Sequence, residues 1–157
     1  MSLPTIEQIN AYEQLPERIA AAIADLDETQ WQFVPAIGEW SIHEVVIHLA
    51  DAEAVGYWRI RRTLAEQRPE LPAYNEEVWA NRLSYRSQDY TLALQLLTAL
   101  RASTAALLRI LPEDAWQRTA LHSERGELSL SDLFDTYLEH GEIHLQQIEQ
   151  VKKAYQQ

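Results

Sequence analysis

Cysteine is absent from the 157 residues. Its absence excludes disulfides, a cysteine nucleophile and thiolate ligation, so any bound metal must be held by His, Asp or Glu. Glycine is scarce as well, at 4 residues, and neither a glycine-rich phosphate loop nor a G-x-S-x-G elbow is present. Basic residues are outnumbered 13 to 24, for a formal net charge of −11. That balance argues against nucleic-acid binding, which rests on Lys and Arg neutralising phosphates. The one candidate basic patch, Arg59, Arg61 and Arg62, reads as a solvated helix face. No apolar run approaches the roughly 20 residues of a membrane span. Met1-Ser2-Leu3-Pro4 lacks the basic-then-apolar start of a signal peptide, so a cytoplasmic location is expected. Strand-like alternation of useful length, internal repeats and low-complexity tracts are all missing.

What is abundant is Ala, Leu, Glu and Gln in long segments, which favours helix. The length suits one domain spanning residues 1–157. Four long helices are expected, at about 5–26, 41–65, 88–111 and 129–153. Thr5 with Gln8, Ser41 with Glu44 and Ser129 with Asp132 supply the N-terminal caps. Pro35 and Gly38 punctuate the first loop, and Gly126 marks a turn before the last helix. The connection from Glu66 to Ser87 is long enough to cross the molecule, with a short extra helix at 76–83. An all-α four-helix bundle with a crossover between helices 2 and 3 follows.

The last helix carries the most informative spacing. Its apolar stripe of Leu130, Leu133, Phe134 and Tyr137 continues through His140 and His144 to Ile148 and Val151. Four residues apart, the two histidines share one helix face and can place two imidazole nitrogens on one metal at roughly 2.0–2.1 Å. His48 lies in the apolar turn Val45-Val46-Ile47-His48-Leu49-Ala50 of the second helix and is the candidate third ligand. Three His ligands with one open position is a catalytic pattern, whereas structural sites are closed. Asp51, three residues after His48, is the candidate catalytic carboxylate, with Glu44 a weaker one. A zincin is excluded, because His140-Gly141-Glu142-Ile143-His144 lacks a Glu directly after the first His. A di-iron carboxylate site is excluded too, because Val45, Tyr137 and Gly141 stand where Glu-x-x-His would need Glu. His43 and His122 read as solvent-exposed. Tyr74, Trp79 and Tyr85 read as pocket-mouth residues or as packing over the bundle end.

Glu39-Trp40-Ser41-Ile42-His43-Glu44-Val45 leading into His48-Leu49-Ala50-Asp51, with His140-Gly141-Glu142-Ile143-His144-Leu145-Gln146-Gln147-Ile148 near the C-terminus, resembles the DinB-like superfamily, which includes bacillithiol-transferase-like proteins. The resemblance implies up-down-down-up connectivity and a three-histidine site falling on His48, His140 and His144. It implies a divalent metal there, zinc or nickel first, with iron or manganese also compatible. It also implies a small-molecule substrate, a low-molecular-weight thiol among the candidates, and a homodimer. The expected activity is a metal-dependent, thiol-dependent S-transferase or a related hydrolase acting on a small electrophile. The alternative is a non-catalytic metal-binding stress-response protein.

Overall fold

The computed structural model describes residues 3–156. Met1, Ser2 and Gln157, part of the single-domain expectation and of the N-terminal reading, lie outside the described residues. Six helices follow in order: α1 (Ile6–Ile23), α2 (Glu28–Gln32), α3 (Ile42–Ala65), α4 (Glu76–Arg82), α5 (Tyr90–Leu108) and α6 (Leu130–Tyr155). The expected capping boxes at Thr5, Ser41 and Ser129 all form, and Asp27 adds another that opens α2 inside the first loop. In each, the cap side chain accepts from the N3 amide and the N3 side chain accepts from the cap amide, worth about 1 kcal/mol for the cap.

Cross-helix partners fix the directions of the four long helices. Tyr12 meets Phe134 and Arg18 meets Glu142, so α1 runs parallel to α6; Glu53 pairs with Arg101 and Arg61 with Ser103, so α3 runs parallel to α5; His48 meets His140 while Arg59 meets Tyr137, so α3 and α6 are antiparallel. α1 and α6 run one way, α3 and α5 the other, which is the up-down-down-up bundle expected. One guanidinium ties the set together. Arg101 of α5, 1% exposed, donates from Nε to Glu53 Oε2 (2.8 Å) and from its amino groups to the carbonyls of Tyr12 (2.8 Å) and Tyr137 (2.9 Å). Side chains alone would leave this charge too costly to bury; the carboxylate and two carbonyls offset its lost hydration. Gly141 is what lets Arg101 in, because a Cβ there would sit on Leu15 and on the guanidinium.

Three readings from sequence need correction. The chain is not strand-free: β1 (Glu70–Leu71) pairs parallel to β2 (Thr119–His122), which pairs antiparallel to β3 (Gly126–Ser129). Strands of 2 to 4 residues are too short to show a period of two. They seal one end of the bundle through Leu71, Ala120, Leu128 and Leu133. Arg59 is not on a solvated face, being buried with its amino groups donating to Tyr137 Oη (3.1 Å) and the Pro72 carbonyl (2.6 Å). α5 is, by length and composition alone, apolar enough to cross a membrane. Here it packs against α3 and α1 and carries the buried Arg101.

Candidate metal centre

α3 brings His48 inward two turns after its Ser41 cap, and α6 runs antiparallel to it, presenting His140 and His144 at the same level. The three Nε2 atoms converge: His48 to His140 is 3.1 Å and His140 to His144 is 3.1 Å. Among the described residues these three form the one group of His and carboxylate donors within 4.8 Å of one another. Nitrogens each about 2.0–2.1 Å from a single ion would lie roughly 2.9–3.4 Å apart, so the observed spacing fits one metal.

The protonation chemistry agrees. Burial, then the neighbouring rings of His144 and His140, push the His48 ring down from its ordinary value to about 2. Burial, then His144 and Arg101, push His140 to about 3, and burial lowers His144. All three are neutral near pH 7, as ligands must be. His144 Nδ1 donates to Gln147 Oε1 (2.7 Å), which fixes the tautomer and leaves the Nε2 lone pair facing its partners. The His48 ring is fully buried, packed 4.7 Å from the Trp40 ring, and its Nδ1 has no hydrogen-bond partner. Three converging lone pairs cannot all be satisfied by protons passed among them; one cation satisfies all three.

The cluster opens to the outside. His144 lines a cavity of about 470 Å³ together with Trp40, Glu39, Glu76, Glu77 and Gln147. Glu76, in the first turn of α4, holds its carboxylate 4.0 Å from His48 Nε2. Burial, then Glu77, raises the Glu76 carboxyl above its ordinary value. Sequence reasoning missed this residue. The Asn75 cap announces a helix there, but no periodicity says that α4 lies across the histidines.

The structure does not bring Asp51 into the histidine cluster. Its Oδ2 accepts from the buried Tyr85 hydroxyl (2.7 Å), and it lines a neighbouring cavity of about 490 Å³ with Trp58, Tyr74 and Trp79. Tyr85 is therefore a packed partner, while Tyr74 and Trp79 form a pocket wall, their rings 4.6 Å apart. Glu44 is spent on the Ser41 cap. His43 and His122, read as exposed, are both buried. His43 contacts Gln32 Nε2 (3.0 Å) and the Gln88 carbonyl (2.8 Å), tying α3 to the crossover. His122 Nδ1 accepts the amides of Glu124 and Arg125 and so closes the β2–β3 turn.

Comparison with known proteins identifies the family. A family profile described as DinB superfamily matches residues 11–148. A protein of Oceanobacillus iheyensis, provisionally named as a metal-dependent hydrolase, is 32% identical over 142 residues, covering 90% of this chain and 82% of its own. One of Bacillus thuringiensis subsp. konkukian, with the same provisional name, is 31% identical over 145 residues, covering 92% and 83%. Among solved structures, YfiT from Bacillus subtilis, described as a probable metal-dependent hydrolase with an unusual four-helix bundle topology, superposes with a TM-score of 0.88 at 26% identity, covering 94% of this chain and 85% of that one. The chain belongs to the DinB superfamily.

Proposed function

We propose that this protein is a divalent-metal-dependent hydrolase of small molecules, with His48, His140 and His144 holding the ion, zinc or nickel in the first instance. The observation that carries the reading is the convergence of three neutral imidazole nitrogens, one of whose rings, His144, lines an open cavity. A structural site would have four protein ligands in a sealed core, so the cavity favours catalysis over a purely stabilising metal. The names of the Oceanobacillus and Bacillus relatives support hydrolysis. Transfer to a thiol would use the same ligands and differ only in the nucleophile.

A divalent ion so held supplies Lewis-acid activation of nucleophile and electrophile. The chain's own residues supply the rest. Gln147 holds the His144 ring in the ligating tautomer. Glu76 is placed to accept the proton of an attacking water and pass it to the leaving nitrogen or oxygen, so that the acyl carbon gains the water oxygen as its bond to the leaving group breaks. Asp51 acts as a positioning residue, fixing Tyr85 beneath the neighbouring pocket. The test is a panel of small esters, amides and thiol-conjugation electrophiles, run on zinc-loaded protein and on His144→Ala. Hydrolysis that disappears in the variant is expected; equal turnover by both would overturn the proposal.

The homodimer implied by the family resemblance is proposed through α5. Leu92, Leu96, Ala99, Ser103 and Ala106 of α5, with Ile110 two residues past its end, recur at alternating steps of four and three and all face outward, Leu92 63% and Ile110 77% exposed. That spacing is the seam of a paired helix. Its small residues lie at the centre and its large ones at the ends, so a second copy running antiparallel would meet it in register.

A further inference from the structure

We propose that the cleft around the histidines selects substrates carrying a positive charge, an ammonium or guanidinium group on the hydrolysable amide or ester. This deepens the hydrolase reading and rests on it. Three adjoining recesses surround α4, and the side chains in their lining that are charged near pH 7 are all carboxylates. Glu39, Glu76 and Glu77 line the cavity that contains His144, with Gln147 and Gln150 as the neutral polar groups. Asp51 lines the aromatic cavity beside it. Glu124 joins Glu76 and Glu77 around the third recess.

Among the described residues no Lys or Arg lines any of these three, although the chain has 13. Arg61, Arg62 and Arg118 line two other recesses. A divalent ion on the histidines would balance two of the three carboxylates in the main cavity and leave one, with Asp51 and Glu124 still nearby. Glu76 lies 4.0 Å from His48 Nε2, well within a screening length, and Glu39 and Glu77 line the same cavity as His144, so their field reaches a substrate bound there.

The uncharged lining points to the same ligand. Trp40 lines the main cavity, and Tyr74 with Trp79, itself on α4, lines the one beside it, and ring faces attract cations. An anionic substrate would meet carboxylates with no guanidinium in the lining, since Arg59, whose charge reaches Tyr74, is buried and donates to Tyr137 Oη and the Pro72 carbonyl; a dicarboxylate would meet them twice. The cleft is therefore built to reject anions and to hold a small cation whose scissile bond reaches the histidines.

The experiment compares three probes of one frame, none a strong metal ligand: benzyltrimethylammonium, benzyl alcohol and phenylmethanesulfonate. Each is titrated by calorimetry and tryptophan fluorescence into metal-free and zinc-loaded protein, and into the Glu39→Gln/Glu77→Gln variant. The expected result is that the cation binds at least about tenfold more tightly than the alcohol, that the sulfonate binds most weakly, and that the preference falls about tenfold in the variant and at raised salt. The same order is expected without metal. Sulfonate binding equal to or tighter than the cation's, an unchanged preference in the variant, or no measurable binding of the cation overturns the inference. Failure of the protein to take up zinc would instead defeat the metal-centre reading, and the metal-free titration separates the two.

Discussion

The Nε2 atoms of His48 and His140 lie 3.1 Å apart across the α3–α6 contact, although 92 residues separate them in sequence. His144 completes the group from the next turn of α6. Holding two rings at that separation takes more than two helices. Arg101 grips the carbonyl of Tyr137, three residues before His140, and grips Glu53, five residues after His48. The buried ion pair is thus the frame on which the ligand face is mounted.

Removing one half of that frame should be severe. Arg101→Met leaves Glu53 buried without its cation and is expected to cost about 3–5 kcal/mol in urea unfolding. The Glu53→Gln/Arg101→Met double variant should cost clearly less than the two single changes added together. Additive losses would mean the pair is not coupled.

Gly141→Ala tests the same frame from the other side. The added Cβ meets Leu15 and the Arg101 guanidinium inside a packed interface, so a loss of about 1–3 kcal/mol is expected. A neutral or stabilising effect, as for a helical glycine in open space, would contradict the packing described.

Acid should destabilise the metal-free protein through its histidines. Folded, the rings of His48 and His140 hold no proton until about 2 and about 3, and His144 is also lowered. Unfolded, each binds one near the ordinary value of about 6.5, so below that pH the unfolded chain takes up more protons and stability falls. Each such histidine steepens the loss by about 1.4 kcal/mol per pH unit. Unfolding free energies measured from pH 7 down to 4 should fall faster in the wild type than in His140→Leu; equal slopes would show that the rings are not held neutral.

Glu76 carries a separable prediction. Glu76→Gln should keep its zinc yet lose about 10²–10⁴-fold in the rate of hydrolysis, read by metal analysis and turnover on the same sample. Full activity in the variant would remove Glu76 from the reaction.

Self-association is checked with charge. Leu96→Glu/Ile110→Glu places one carboxylate in the α5 stripe and one just past its end and is expected to convert a dimer to a monomer in light scattering. A wild-type protein that is monomeric at micromolar concentration would contradict pairing through this face.

Much of this architecture is written in local patterns. The caps at Thr5, Ser41 and Ser129 mark helix starts because the side chain that binds the first free amides is three residues away. His140 and His144 continue an apolar stripe, and His48 sits in an apolar turn, so each is legible as inward-facing from its own helix. Glu76 is not legible, because its position depends on how a crossover of some twenty residues lies across the bundle. Asp51 shows the reverse case: three residues from His48, it faces Tyr85 because a step of three turns it away from the α6 side. The burial of His43 and His122 is not legible either, since it comes from the crossover and from the β2–β3 turn rather than from their own segments. Arg101 left a signal that was available, a lone charge in the otherwise uncharged α5.

The most direct measurement is the metal content of protein purified without a nickel column, alongside His48→Ala, His140→Ala and His144→Ala, with circular dichroism confirming that each variant is folded. The expected result is one divalent ion per wild-type chain and a loss of at least about tenfold in affinity in every variant. A wild-type chain that takes up no divalent ion, or a folded His144→Ala that binds one as tightly as before, would contradict the three-histidine centre.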